Sequence, residues 1–378
     1  MSGEALVTEE VYTPEFMRGV VLGIAERVEG DTDHWFTSVD LFFHVRITDS
    51  TRQGDVVFVQ QSIAGQFIGL EREVAVGDRI VLVYDSFGSR FFFVSHVRIN
   101  HIVILGGVFL VLVIILGRAK GFNGILSLGL SCLAIIAVFI PGILSGFNIY
   151  LMAFVVCLYA IVSTFFLVIG INKKALTAIL GCLSGVILAG VLMGIMDFIL
   201  GLSGVVDHDS LAILNLPLIN SLDLRGLIFA GIIFGAVGAI MDVSMSIASA
   251  LWEIKESGGA SDFKNLLKSG LTIGQDTLGT MLNTLILAYI GSSLTMILLI
   301  TASTPSFTEL LNMEMIIVEF LRAIIGSFGM LLTIPLTALI CAKVFSQKDE
   351  DGAREDLEED SYFEEIRLRQ EARRSRRE

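Results

Sequence analysis

The stretch from Asp223 to Glu253, DLRGLIFAGIIFGAVGAIMDVSMSIASALWE, decides the fold and raises a question about one of its residues. The stretch is long and apolar enough to cross the hydrocarbon core of a bilayer, for which a helix needs about 20 residues. Yet Asp242 lies 17 residues after Arg225, deep inside this run. A carboxylate there costs at least about 2.5–3.5 kcal/mol, so acids in membrane helices usually face the bundle interior and mark an ion or proton path.

The composition of the whole chain indicates a membrane protein. Of its 378 residues, 54% are hydrophobic, and the mean hydropathy is +0.77, whereas soluble domains are about 45–50% apolar. The apolar residues form seven runs, near 102–117, 122–145, 148–170, 175–200, 225–252, 272–301 and 315–345. Because buried soluble helices rarely follow one another in such a series, we expect a polytopic α-helical membrane protein with about seven spans.

Polar regions flank this membrane domain on both sides. We expect a flexible N-terminus over 1–15, a β domain over 16–101, the membrane domain over 102–345 and a charged tail over 346–378. Within 16–101, five β-branched and aromatic-rich segments separated by Gly, Asp and Ser predict a small β-barrel of the OB type. The tail begins acidic and ends basic, and its low apolar content predicts disorder or a weak docking segment.

The charges of the short loops predict the orientation, because Lys and Arg accumulate on the cytoplasmic side. On one side lie Arg118, Lys120, Lys173, Lys174, Lys255, Lys264, Lys268 and Lys343. We therefore expect this side and the tail to be cytoplasmic and the β domain to be exterior. Since MSGEALVTEEVYTPEF contains no apolar signal segment, either the first span carries the β domain across or a hydrophobic segment precedes this start.

Several classes of function find no support in the residues. The net charge is −13, with 8 Arg against 15 acids before residue 102, which argues against nucleic-acid binding. All four cysteines lie in apolar runs without CxxC spacing, and the loop around Asp207 and Asp209 lacks a fourth metal ligand. No Ser-His-Asp pattern appears among the histidines of the β domain. We expect no metal, no cofactor and no enzymatic activity.

The fifth span carries a polar stripe. At 100° per residue, Asp242, Ser246 and Ser249 share one face, which ends at Glu253 beside the cytoplasmic interface. Asp242 lies about eleven residues further in, or roughly 16 Å, which is close to the middle of the bilayer. Two interpretations are open: Asp242 carries ions or protons, or it is a hydrogen-bonded acid that only joins helices.

The sixth span carries a matching stripe. Asp276, Thr280 and Asn283 lie on one face, with Gln275 and Thr284 at its edges. Asp276 is about four residues from the cytoplasmic end of its run, where the helix dipole also favours an acid. Asn283 is about eleven residues in, so antiparallel packing should bring it level with the acid of the fifth span, and we expect that acid to face the Thr280–Asn283 stripe inside the bundle.

The stretches GAVGAIMDVSMSIASALWEI, GQDTLGTMLNTLILAYIGSSL and GSFGMLLTIPLTALI resemble the YibE/F family of bacterial membrane proteins. The resemblance covers roughly residues 102–345, and it extends to the β domain only in character. It implies a multi-pass protein of the bacterial cytoplasmic membrane, whose members usually carry a hydrophobic segment before the β domain. Where many members have a basic residue before the Asp of the sixth span, this chain has Gln275.

Three functions from different classes follow. An ion- or proton-coupled transporter or exporter would use Asp242 as its relay and Asp276, Thr280 and Asn283 to shape the path. A membrane assembly or export accessory protein would instead bind protein partners through the β domain or the tail. An intramembrane hydrolase with an Asp242–Asp276 dyad is disfavoured by the different depths of the two acids. An Asp-bearing span followed by a Gly/Thr/Asn-rich span is also similar to the proton-relay helices of RND-type transporters, so we favour transport, with the lipid bilayer and protons or ions as partners.

Overall fold

A computed structural model describes residues 15–30, 38–64, 70–85, 90–206, 208–214, 222–257, 262–303 and 306–346. The chain divides into two units between Leu112 and Val113. The predictions for the N-terminus over 1–15 and the tail over 346–378 fall almost wholly outside the described residues, and so does Asp207.

The first unit contains a closed five-stranded barrel, as predicted for the β domain. Its strands are β1 Glu15–Gly30, β2 Ser38–Ile47, β3 Val56–Ala64, β4 Arg79–Asp85 and β5 Arg90–His96. They are hydrogen-bonded in the order β1-β2-β3-β5-β4, and the long strand β1 pairs with both β2 and β4 to close the barrel. The β3–β5 pair is parallel and all other pairs are antiparallel, which fits an OB-like barrel.

The alternation of side chains along the strands builds the barrel core. On β2, Leu41, Phe43 and Val45 point inward and are almost fully buried, because successive side chains of a strand point to opposite faces. Gly19 on β1 lies against Val45, and a Cβ at this position would overlap it. The core therefore requires a glycine at position 19.

Helices make up the rest of the described chain. They are α1 Ile99–Ala134, a π-helical turn Ile135–Phe139, α2 Ile140–Leu144, α3 Ile149–Ile169, α4 Lys173–Leu200, α5 His208–Leu214, α6 Leu224–Glu256, α7 Phe263–Ser292, α8 Leu294–Ser303, α9 Phe307–Asn312 and α10 Glu314–Phe345. Five stretches are long and apolar enough to cross a membrane, namely Ile99–Leu144, α3, α4, α6 and α10. Helices α7 and α8 count as a sixth when taken together, with a bend of 59° between them.

This number is lower than the seven predicted runs because two of the runs lie in one stretch of 46 residues, Ile99–Leu144. That stretch is broken at Arg118, whose backbone has φ 49° and ψ −133°. A Cβ on Gly121 would overlap the carbonyl of Val113, although residues eight apart in a straight helix are about 12 Å from each other. The chain therefore bends sharply between the two predicted runs.

Contacts sort the helix ends of the second unit into two groups. At the first, which we call the lysine-rich end, the rings of Trp252 and Phe345 meet with centroids 5.2 Å apart. At the opposite end, the Glu314 carboxylate accepts hydrogen bonds of 2.8 Å from the backbone N–H groups of Ser203 and Gly204. The elements that meet at the lysine-rich end carry the basic residues assigned above to the cytoplasmic side: Arg118, Lys120, Lys173, Lys174, Lys255, Lys264, Lys268 and Lys343.

Helix α10 lies at the centre of the second unit, in contact with α4, α6 and α7. It runs parallel to α6 and antiparallel to α4 and α7. Side chains of α10 press against glycines of α4: a Cβ on Gly181 would overlap Thr337, and one on Gly185 would overlap Thr333. Small residues allow such close approach in membrane helix pairs, where van der Waals packing drives association.

Candidate functional site

Asp242 lies near the middle of a long, regular helix. Helix α6 begins where the side chain of Asp223 accepts a hydrogen bond from the backbone N–H of Arg225, which satisfies one of the free N–H groups of the first turn. Asp242 is 18 residues from the first residue of α6, Leu224, and 14 from the last, Glu256. At 1.5 Å per residue these spacings are about 27 and 21 Å, so Asp242 lies near the middle of the helix.

The side chain of Asp242 is exposed on the outer face of α6. The opposite face carries Ile240, Val243 and Ile247, which are fully buried. Asp242 has no hydrogen-bond partner among the described residues. The prediction that it lies inside the bundle is therefore wrong for the single chain, because apolar residues at every third or fourth position occupy the inward face and turn the acid outward.

Small residues continue this outer face of α6 in both directions. Gly231, Gly235 and Gly238 are exposed toward the opposite end, and Ser246 and Ser249 are half-buried toward the lysine-rich end. A Cβ on Gly231 or Gly238 would meet no atom within 4 Å. The space that Gly231 and Gly238 leave beside the helix backbone is thus open in the single chain.

The polar stripe of α7 is exposed as well. Gln275, Asp276, Thr280, Asn283 and Thr284 all lie on its outer face. The hydroxyls of Thr280 and Thr284 donate to backbone carbonyls of their own helix, at 3.0 and 2.9 Å, as threonines in membrane helices commonly do. The side chains of Asp276 and Asn283 have no hydrogen-bond partner among the described residues, so these two polar groups of the stripe remain unsatisfied.

Two contacts fix the register between α6 and α7. A Cβ on Gly270 would lie 2.9 Å from Leu251, and one on Gly235 would lie 2.7 Å from the hydroxyl of Tyr289. Between these levels, Asp242 is at the depth of about residues 279–282, given the equal rise per residue in both helices. The structure thus brings Thr280 to the same depth as Asp242.

The register also places the other two site residues of α7. Asn283 lies within about one turn of the depth of Asp242, as the sequence indicated. Asp276 is 13 residues after Phe263, the first residue of α7, and not about four residues from a helix end. An amphipathic segment, 263–271, precedes the apolar run in this helix. By the register of α6 and α7, Asp276 lies between one and two turns from the level of Asp242.

A buried polar cluster near the opposite end was only partly foreseen. Arg322 donates a hydrogen bond of 2.6 Å to Glu319, three residues earlier on the same helix, and the two form an ion pair. The other carboxylate oxygen of Glu319 and the hydroxyl of Tyr289 are buried without a hydrogen-bond partner in the described part of the chain. The sequence analysis missed Tyr289; a tyrosine inside an apolar run, whose hydroxyl needs a partner, was the available signal.

The barrel also has a surface feature that the sequence analysis missed. The rings of Phe42 and Phe58, on neighbouring strands, are stacked, with their centroids 5.6 Å apart and an angle of 6° between their planes. His44 lies beside Phe58 with its ring at 5.3 Å. Phe58 and His44 are exposed. The residues of this aromatic pair are separated by 16 positions in the sequence, so only the β2–β3 register reveals it.

The described residues contain no group of three or more His, Cys, Asp or Glu side chains placed to hold a metal ion. The four cysteines are free, and Cys157, Cys182 and Cys341 are buried among apolar neighbours. Among the described residues, the polar side chains of α6, α7 and α10 that lack a hydrogen-bond partner form the candidate site.

Long apolar helices and basic residues gathered at one end are compatible with a multi-pass helical membrane protein, here with an N-terminal β-barrel domain. A family model described as YibE/F-like protein matches residues 105–347, which is more than half of the chain. The chain belongs to the YibE/F-like family. No curated protein and no solved structure matches it.

Proposed function

We propose that the protein is an ion- or proton-coupled transporter or exporter of the bacterial cytoplasmic membrane, in which Asp242 takes up and releases the coupling ion. One observation supports this function: Asp242 lies about 21–27 Å from both ends of α6, beside open glycines and without a hydrogen-bond partner among the described residues. An acid at this depth is costly, and such acids typically serve ion or proton movement. The proposal involves no catalysed chemical reaction, metal or cofactor.

The proposed route follows the outer face of α6. From the lysine-rich end it passes Ser249 and Ser246 to Asp242, where Thr280 and Asn283 of α7 lie at similar depth. Beyond Asp242 it continues past Gly238 and Gly235 to the hydroxyl of Tyr289, which a Cβ on Gly235 would approach to 2.7 Å. The Glu319–Arg322 pair supplies charged groups at the opposite end of the route. Asp276 and Gln275 border it on the lysine-rich side, and Thr284 borders it on the other side of the level of Asp242.

Reconstitution tests the transport function directly. Liposomes containing the purified chain and a pH-sensitive dye inside should show proton flux when a pH or voltage gradient is imposed. Asp242→Asn should reduce this flux to the leak of protein-free liposomes, because an amide keeps the shape of the side chain but carries no exchangeable charge. Glu253→Gln, the same change at the end of the same helix face, is the matched control and should retain the flux.

Flux that persists in Asp242→Asn would remove Asp242 from the route. Absence of flux from the unaltered chain under proton, sodium and potassium gradients would favour the second candidate, a membrane assembly or export accessory protein. The exposed polar face of α6 and α7 is the observation that favours it, since another membrane protein could cover this face. Partners would then also bind the β domain or the tail, and the polar stripes would only join helices.

The proposed topology has about seven spans, with the lysine-rich end and the tail cytoplasmic and the β domain exterior. Its support is the gathering of the basic residues at one end. Single cysteines at Lys174 and Lys264, compared with one at Asn312 near the opposite end, test it in intact cells with a membrane-impermeant thiol reagent. We expect labelling at 312 alone; labelling at 174 and 264 but not at 312 would invert the orientation.

A further inference from the structure

A cavity of about 760 Å³ lies among α7, α8, α9 and α10, on the side of the Tyr289–Glu319 cluster. Its walls are almost wholly aliphatic and aromatic. They include Leu282, Ile286, Ile297, Leu311, Phe320 and Phe328. At its rim, Ile290, Phe320, Ile324 and Phe328 are exposed, so the cavity opens on the lateral surface of these helices. In a membrane, that surface faces hydrocarbon.

Two polar side chains in the cavity wall lack partners. Tyr289 and Glu319 both line it, and the Tyr289 hydroxyl and one carboxylate oxygen of Glu319 are buried without a hydrogen bond to any described residue. Leaving such groups unpaired is costly, and each one in a folded protein requires an explanation. An apolar cavity with a few convergent polar groups is the usual form of a small-molecule site.

We propose that this cavity binds an amphiphile from the surrounding lipid, with one apolar chain along the walls and a hydrogen-bond-donating head group, a hydroxyl or an amine, at Glu319 and Tyr289. The walls match an apolar chain, and the lateral opening gives access from the hydrocarbon. The free oxygen of Glu319 accepts a hydrogen bond and repels an anionic head group. Arg322 does not offset this repulsion fully, because it is already paired with the other oxygen of Glu319. Tyr289 and Glu319 also lie at the far end of the proposed ion route from Asp242, so this site adjoins that route, and its test measures lipid binding and not ion flux.

Photoaffinity labelling of the full chain in lipid nanodiscs tests the proposal. The probe is a 12-carbon alcohol with a diazirine in its chain, and the reference probe is its methyl ether, which has the same chain but no donor. We expect mass spectrometry to find the alcohol cross-linked to cavity residues of α7 and α10, in about fivefold higher yield than the ether, as one hydrogen bond provides. Excess unlabelled dodecanol should compete.

Matched variants separate the cavity from the general lipid surface. Ala323→Phe places a ring in the cavity one turn after Glu319 and should strongly reduce the cross-links near the head-group position, whereas Ala302→Phe, the same change at an exposed position of α8 outside the cavity wall, should not. The conservative change Tyr289→Phe removes only a hydroxyl and should lower the preference for the alcohol over the ether. Equal labelling of all lipid-facing helices, or cross-links that persist undiminished in Ala323→Phe, would overturn the site. Equal yields from both probes in the unaltered chain would overturn the donor head group.

Discussion

Two helix surfaces of this protein carry glycines at helical spacing and differ in what covers them. Gly181 and Gly185 on α4 lie directly against Thr337 and Thr333 of α10, and a Cβ at either position would overlap these side chains. On the outer face of α6, a Cβ at Gly231 or Gly238 would meet nothing within 4 Å. In the sequence the two sets look alike.

The difference teaches what each set of glycines is for. On α4 they permit the close contact with α10 that holds the bundle together. On α6 the single chain makes no use of the absent side chains at Gly231 and Gly238, although each glycine in a helix costs up to about 1 kcal/mol relative to alanine. The open glycines precede Asp242 by about three turns and one turn on the same face, so the α6 face is where the fold leaves room for function.

The largest effect should come from filling the covered surface. Gly185→Leu forces a side chain into the space held by Thr333 and by the nearby backbone of α10. Overpacking of this kind costs about 3 kcal/mol or more, so we expect loss of monodisperse protein. Gly238→Leu adds the same side chain to the open face and should leave folding intact. Fluorescence-detected size-exclusion chromatography with a melting series compares the two.

If Gly238→Leu is as damaging as Gly185→Leu, the α6 face is covered in the native protein by something the single chain does not contain. A second copy or another membrane protein would then be the cause. Both glycine surfaces, on α4 and on α6, would then be packed in the native protein, and they would differ only in what packs against them.

The next effect concerns Asp242 itself. Because the structure gives it no hydrogen-bond partner in the described residues, Asp242→Leu should not destabilise the protein. It should stabilise the chain in lipid by as much as about 2.5–3.5 kcal/mol if the side chain faces hydrocarbon. Thermal or chemical unfolding in nanodiscs measures this, with Asp242→Asn as the isosteric control. A large loss of stability would mean that a partner group binds the carboxylate.

The sequence predicted which residues share one face of a helix, but it did not predict which face points into the bundle. The 3.6-residue pattern placed Asp242, Ser246 and Ser249 on one face, and the β-branched and aromatic-rich segments between turn residues predicted the five strands. However, the rule that membrane acids face the interior made the predicted orientation of Asp242 wrong. Which face of α6 is inward depends on how Ile240 and Val243 pack against other helices, and no local pattern contains that information.

Features that depend on contacts between two elements could not be predicted from the sequence for the same reason. The start of α7 was predicted too late, near residue 272, because its amphipathic first turns from Phe263 add helix without adding hydropathy. The Tyr289–Glu319 cluster brings together residues 30 positions apart, and the Phe42–Phe58 pair depends on strand register. Each requires two elements to meet, and hydropathy describes one element at a time.

The β domain contains a buried titratable side chain, His96, whereas Asp242 is exposed. His96 is largely buried, and this burial lowers its pKa from the ordinary value of 6.5, although the nearby Asp78 opposes the shift. With a lowered pKa, the unfolded state binds more protons than the folded state below about pH 6.5, so stability is lost as the pH falls.

We therefore expect residues 16–99, expressed alone, to melt cooperatively as a β protein and at a lower temperature at pH 5 than at pH 7.5. Circular dichroism measures both. His96→Gln should reduce the dependence on pH, while His44→Gln at an exposed position should not. A random-coil spectrum at every temperature would show that the domain depends on the membrane part. A melting temperature that rises toward pH 5 would show that the attraction to Asp78 outweighs burial.

The smallest effect on stability should come from Thr280→Val, which tests the difference between the exposed and the covered helix surfaces. The Thr280 hydroxyl is exposed and donates to the carbonyl of Thr277 in its own helix, so its loss should change stability by less than about 0.5 kcal/mol. Thr333→Val is the same change at the covered surface, where the hydroxyl donates to Gly329 at 2.7 Å and lies against Gly185, and should cost about 1 kcal/mol. Unfolding in nanodiscs ranks the pair. Ion flux then separates the two roles of Thr280: reduced flux at unchanged stability would place its hydroxyl on the route beside Asp242, whereas unchanged flux would leave it a threonine satisfied by its own backbone.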